Sequence, residues 1–93
     1  MKHHLIIRFD EHEDKKKLYN ELKEFFKTME NVPEIRKVST FRASSSLSGR
    51  FDMMVRFDIR KEDLDKLEEL EAYRSWQDGY KDRISDVTVF DCL

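Results

Sequence analysis

The residues of this sequence with types suited to moving protons or holding anions are His4, Asp52, Arg8 and Arg56. A carboxylate beside an imidazole raises its basicity and fixes its tautomer. His4 facing Asp52 across adjacent strands would therefore be an acid–base pair able to draw a proton from a carbon or a phenol. The same two residues inside a subunit interface would be a structural ion pair, and their types alone leave both readings open. Arg8 and Arg56 carry the planar donors that grip a carboxylate or a phosphate. Side by side they would hold such a ligand; beside Asp10, Asp52 and Asp58 they would simply be neutralised. Trp76 and Tyr80 share a helical spacing that puts them in a core or rim, or at a pocket mouth. His12, in a charged stretch, reads as exposed. His3, His4 and Asp52 are too few and too poorly spaced for a metal centre. The lone Cys92 rules out an internal disulfide and a cysteine-rich metal site. No metal or organic cofactor is expected.

These side chains need elements to place them. Lys2 to Phe9 alternates in polarity and reads as a strand. Leu18, Tyr19, Leu22, Phe25, Phe26 and Met29 then recur at three- and four-residue spacing, the stripe of an amphipathic helix. Pro33 biases its predecessor away from helix and ends that element. Ile35 to Arg42 reads as a second strand, Ser44 to Gly49 as a turn-rich loop, and Phe51 to Ile59 as a third strand. A second helical stripe runs through Leu64, Leu67, Leu70, Tyr73, Trp76, Tyr80 and Ile84, with Gly79 marking a bend or break. Val87 to Cys92 closes the chain as a fourth strand.

The order is β-α-β-β-α-β, and its halves repeat. Arg8-Phe9-Asp10 recurs as Arg56-Phe57-Asp58, each at a strand's end, and Tyr19, Leu22 and Phe25 match Leu67, Leu70 and Tyr73 in phase. Two right-handed β-α-β units joined in this way give an α+β, ferredoxin-like domain over residues 1–93. Its four-stranded antiparallel sheet has both helices on one face.

Side chains alternate across a strand, so each strand supplies both faces. Leu5, Ile7, Phe9, Phe51, Met53, Val55, Phe57, Val87 and Val89 are expected under the helices. The open face then carries His4, Ile6 and Arg8, then Val38, Thr40 and Arg42. It also takes Asp52, Met54, Arg56 and Asp58, with Thr88, Phe90 and Cys92. Ile6, Val38, Met54 and Phe90 form an apolar patch too large for solvent, of roughly a few hundred Å². A second copy of the chain is the expected cover, and two such faces would enclose a partly polar cavity.

With 93 residues, 39% of them apolar, the chain has a thin core that pairing would deepen. Charged residues make up 41%, but the net charge is −2, which gives no electrostatic footprint for nucleic acid or an anionic membrane. RNA-recognition domains share this element order but need stacking aromatics on the third strand; Asp52 and Met54 stand there instead. No apolar run reaches the ~20 residues of a membrane helix, and the start has no signal-type apolar region. A cytoplasmic protein is expected.

Lys2-His3-His4-Leu5-Ile6-Ile7-Arg8-Phe9, Val32-Pro33-Glu34-Ile35, Gly49-Arg50-Phe51-Asp52 and Val87-Thr88-Val89-Phe90-Asp91 resemble, in order and spacing, the stress-responsive A/B barrel (Dabb) domain. The resemblance covers essentially the whole chain. It implies a dimeric α+β barrel of two facing ferredoxin-like sheets. Some members are plant stress proteins; one is a polyketide cyclase using acid–base catalysis. That cyclase works through a histidine near the end of helix two, with a nearby tyrosine and further histidines on strands one and three. Carried over, the strand-one histidine falls on His4 and the strand-three histidine on Asp52. The helix-two histidine falls on Gln77, which can neither take nor give a proton near neutral pH. Its tyrosine falls near Glu71, with Tyr73 a stand-in only if the helix shifts. The cyclase mechanism is therefore not inherited. The expected ligand contacts are Arg8, Arg56, Met54, Tyr73, Trp76, Gln77 and Phe90. Three functions stay open: a homodimeric barrel binding a small, partly apolar molecule; a cofactor-independent cyclase, isomerase or small monooxygenase with His4 as general base; and a stress-protective oligomer with a filled barrel.

Overall fold

Residues 1–44 and 50–93 are described by the computed structural model. Of the turn-rich loop expected over Ser44 to Gly49, residues 45–49 lie outside the described part. Strand β1 (Lys2–Phe9) leads into helix α1 (Lys15–Thr28), followed by strands β2 (Ile35–Arg42) and β3 (Met53–Ile59), helix α2 (Glu71–Tyr80) and strand β4 (Ile84–Cys92). The strands form one antiparallel sheet in the order β2-β3-β1-β4. This is the expected ferredoxin-like β-α-β-β-α-β arrangement.

Helix α1 starts where Asp14, in extended conformation, accepts a hydrogen bond from the Lys17 backbone N–H, which satisfies one of the first turn's free donors. It buries Leu18, Tyr19, Leu22 and Phe26, and passes through a short 3₁₀ turn before Pro33. The second helical stripe is not one helix. A 3₁₀ segment over Lys61–Glu69 gives way at Leu70, whose backbone is extended, to α2, and a 3₁₀ turn at Lys81–Arg83 precedes β4. The break therefore falls at Leu70; Gly79 sits inside α2, with open space where a side chain would go.

The core lies between the helices and the sheet. Phe26 is central to it, with its ring 5.0 Å from Trp76 and 5.9 Å from Phe57. Leu5, Ile7, Val55, Phe57 and Ile59 close the floor, each 1% exposed or less. Burying a Phe or Leu fully contributes roughly 1.5–3 kcal/mol, so this one layer holds the domain together.

Two strand assignments differ from the sequence reading, and a third lies on the expected face but less covered. In β2 a bulge shifts the register between Ile35 and Lys37. One extra residue reverses the alternation beyond it. Val38, Thr40 and Arg42 therefore turn to the helix side, where Val38 is buried, and Phe41 takes the open face instead. Asp52 precedes β3, so alternation does not govern it, and it too turns inward, to 7% exposure. Val87 and Val89 are on the helix side as expected, opposite Ile7 and Leu5, yet the helices leave them 37% and 52% exposed.

Candidate functional site

On the open face, β1 presents His4, Ile6 and Arg8. The β3 side of that face carries Met54, Arg56 and Asp58, and Phe41 and Phe90 stand on the outer strands. His4 is opposite Arg56 on one side and Phe90 on the other. Its Nδ1–H donates to the Phe90 carbonyl at 2.9 Å. A carbonyl only accepts, so this bond fixes the tautomer and leaves Nε2 facing outward. The expected His4–Asp52 pair does not form. The Asp52 backbone N–H instead bonds to the Ile7 carbonyl, several residues along β1 from His4. The Asp52 carboxylate accepts from the Phe9 N–H at 2.8 Å and meets Lys15 Nζ at 3.0 Å. It ties the start of β3 to the β1–α1 corner.

Arg8 and Arg56 are not side by side. Arg8 lies over the Phe51 ring, with Asp86 at 3.7 Å; Arg56 lies near the Phe41 ring, 3.4 Å from Asp58 without a hydrogen bond. The Nε atoms of both are buried without an acceptor among the described residues. Asp58 does neutralise Arg56 as expected, but Asp86 rather than Asp10 or Asp52 serves Arg8.

The helix side holds the other expected contacts. Because α2 stops short of the sheet edge, a groove of about 490 Å³ runs between α2 and β4. Tyr73, Trp76, Gln77 and Tyr80 form one wall; Leu5, Val87 and Val89 form the other. Among the expected ligand contacts, the structure brings Tyr73, Trp76 and Gln77 to this groove, and Arg8, Arg56, Met54 and Phe90 to the opposite face. Arg83, at the entry to β4, bonds Glu13 at 2.9 Å and Glu21 at 2.6 Å and so ties that end of the strand to the start and face of α1. Both carboxylates raise its pKa further above the guanidinium range.

Behind the groove lies a group that sequence reasoning passed over. His3, one residue before the expected candidate, points inward and is 6% exposed. Its Nδ1–H donates to Asp91 at 2.5 Å, and its Nε2 lies 3.3 Å from the Tyr73 hydroxyl. An ionised carboxylate only accepts, so the shared proton sits on Nδ1 and Nε2 is free to accept from Tyr73. Burial pushes the Tyr73 phenol up to about 12, and the Glu68 and Asp91 charges add to the shift. Tyr73 is therefore a neutral donor at ordinary pH. The signal was present in the sequence: Phe9, Ile7 and Leu5 set the inward parity of β1, and His3 continues it. The described residues include no cluster of three or more His, Cys, Asp or Glu able to hold a metal.

No family model matches the sequence, and no curated protein does. Solved structures share the fold over nearly the whole chain. The Arabidopsis thaliana protein At3g17210 aligns with a TM-score of 0.80 at 15% identity, covering 99% of this chain and 92% of its own. A dimeric ferredoxin-like protein of unknown function from Bacteroides fragilis gives 0.76 at 10%, with 98% and 94% covered. A Dabb family protein of ferredoxin-like fold from Mesorhizobium loti gives 0.72 at 9%, with 99% and 93% covered. At these identities the likeness establishes the fold, which is the fold that the Dabb resemblance implied.

Proposed function

We propose that this chain is a homodimeric, Dabb-like barrel protein that binds a small, partly apolar molecule in the groove between α2 and β4. The observation that carries the reading is the groove itself. Val87 and Val89 lie on the helix side of the sheet but uncovered, facing Tyr73, Trp76 and Tyr80 across a space of about 490 Å³. Sites for small ligands are concave, mostly apolar and furnished with a few polar groups; Gln77 and the rim residues Glu68 and Lys81 supply those here.

Pairing concerns the other face. Phe41 and Phe90 are 43% and 57% exposed there, beside Ile6 and Met54. An apolar surface of this kind marks an interaction site, and a structural neighbour from Bacteroides fragilis is described as dimeric. A face used by both copies is the commonest oligomer geometry. No helix among the described residues is long and apolar enough to cross a membrane. A reducing, cytoplasmic setting suits the free thiol of Cys92.

Trp76 is the only tryptophan, so its fluorescence reports on the groove. Titration with para-nitroanisole, an apolar aromatic probe, is expected to quench it saturably, and Val89→Arg to abolish that saturation. Linear quenching, equal in both proteins, would contradict the groove. In sedimentation equilibrium the chain is expected at twice its monomer mass, and Phe90→Asp at the monomer mass. A folded monomer in the unsubstituted protein would contradict the pairing.

A further inference from the structure

One more arrangement of side chains ends at the groove. Asp91, His3 and Tyr73 come from β4, β1 and α2, and each hydrogen-bonds the next. Asp91 and His3 are themselves cross-strand partners, so the sheet register holds the carboxylate against the ring. Phe57, 5.9 Å from the imidazole, fixes the ring from the side. A histidine present only to fill the core would need one partner for each nitrogen and nothing more. Here the second partner is a residue whose ring also lines the groove. The groove's own carboxylates, Glu68 and Asp86, are exposed, and Gln77 cannot exchange a proton near neutral pH. The buried acceptor connected to this space is His3.

Resting on the groove reading above, we propose that His3, oriented by Asp91, is the proton acceptor for the groove's ligand and acts through the Tyr73 hydroxyl. The ligand is then a mainly apolar molecule bearing an acidic hydroxyl, a phenol or an enol. In the transfer the ligand O–H bond breaks and its proton passes to Tyr73 Oη. The proton already on Tyr73 passes to His3 Nε2 in the same event. The ligand is left as an oxyanion and His3 as an imidazolium against the Asp91 carboxylate. No electrons change hands, and Tyr73 ends as it began. His3 and Asp91 are positioning and proton-storing groups; Tyr73 is the catalytic residue, because of the three it alone lines the groove.

The test uses para-nitrophenol, whose ionised form absorbs visible light, with para-nitroanisole as the partner that has no proton to give. Trp76 quenching reports binding of either. Bound to the unsubstituted protein, the phenol is expected to ionise at least about one pH unit lower than in free solution, equivalent to a tenfold shift toward phenolate. In His3→Gln, Asp91→Asn and Tyr73→Phe, bound probe is expected to show no such shift. Asp91→Asn, at a partly exposed position, covers the case in which His3→Gln does not fold. Saturable binding of both probes with no ionisation shift would overturn the relay and leave the groove reading intact. A shift that persists in His3→Gln or Asp91→Asn would also overturn it. Failure of the unsubstituted protein to bind either probe would overturn the groove reading, and the relay with it.

Discussion

Two adjacent histidines illustrate how much a single position decides. His4 and His3 have the same chemistry, but strand alternation sends one to a sheet face where it caps the Phe90 carbonyl and the other into the core against Asp91. The sequence marks a histidine on the first strand as the group to watch, and the open-face reading selects the outward one, His4, with which the strand-one histidine of the resembling cyclase also aligns. The buried ring was legible from the parity of Leu5, Ile7 and Phe9. Its partners were not, since Asp91 and Tyr73 are 88 and 70 residues away along the chain. The tyrosine gives a prediction at this scale. Its phenol ionises near 10 when unfolded and near 12 when folded, chiefly through burial. Between those values the unfolded chain loses a proton that the folded one keeps, so stability is intact below pH 10 and falls as pH rises toward 12. The loss is on the order of 2 kcal/mol. Urea unfolding across that range is expected to show the decline, and Tyr73→Phe to lessen it, the remainder coming in part from Tyr80, whose phenol burial also raises. An equal decline in the variant would place the effect elsewhere.

At the scale of elements, the alternating pattern assigned β1 and most of β3 correctly and failed at two irregularities. The β2 bulge turned Val38 inward and Phe41 outward, and nothing in Ile35-Arg36-Lys37 announces it: both polar residues are exposed whichever way the strand runs. Asp52 stands one residue before β3, where the backbone already bonds Ile7 and Ala43 but the regular alternation has not begun, and its carboxylate satisfies the Phe9 N–H. Periodicity located the second helical region but missed its division at Leu70, because a 3₁₀ segment and an α-helix in sequence keep much of the same apolar spacing. Asp52 therefore has a structural role, joining β1, β3 and α1. Replacing it with Ala strands a buried N–H and releases Lys15, which is expected to cost about 1–3 kcal/mol in chemical denaturation. A change near zero would show that the corner does not depend on it.

Taken whole, the molecule offers one surface for each of the two proposed tasks. Element order and the internal repeat were enough to give the architecture, since a doubled β-α-β unit has few chiral solutions. The location of the groove was not, because it depends on how far α2 leaves Val87 and Val89 uncovered, a tertiary relation that local pattern does not encode. The expected contacts combine Arg8, Arg56, Met54 and Phe90 with Tyr73, Trp76 and Gln77 around one cavity between facing sheets; the proposed groove lies on the far side of the sheet and takes only the last three. A partner copy can cover the first surface without occupying the second. Mapping backbone amide shifts by NMR while titrating para-nitroanisole separates the two most directly. Perturbations are predicted to cluster at Tyr73, Trp76, Gln77, Val87 and Val89. A cluster at His4, Met54, Arg56 and Phe90 instead, with the α2–β4 residues unmoved, would contradict the account.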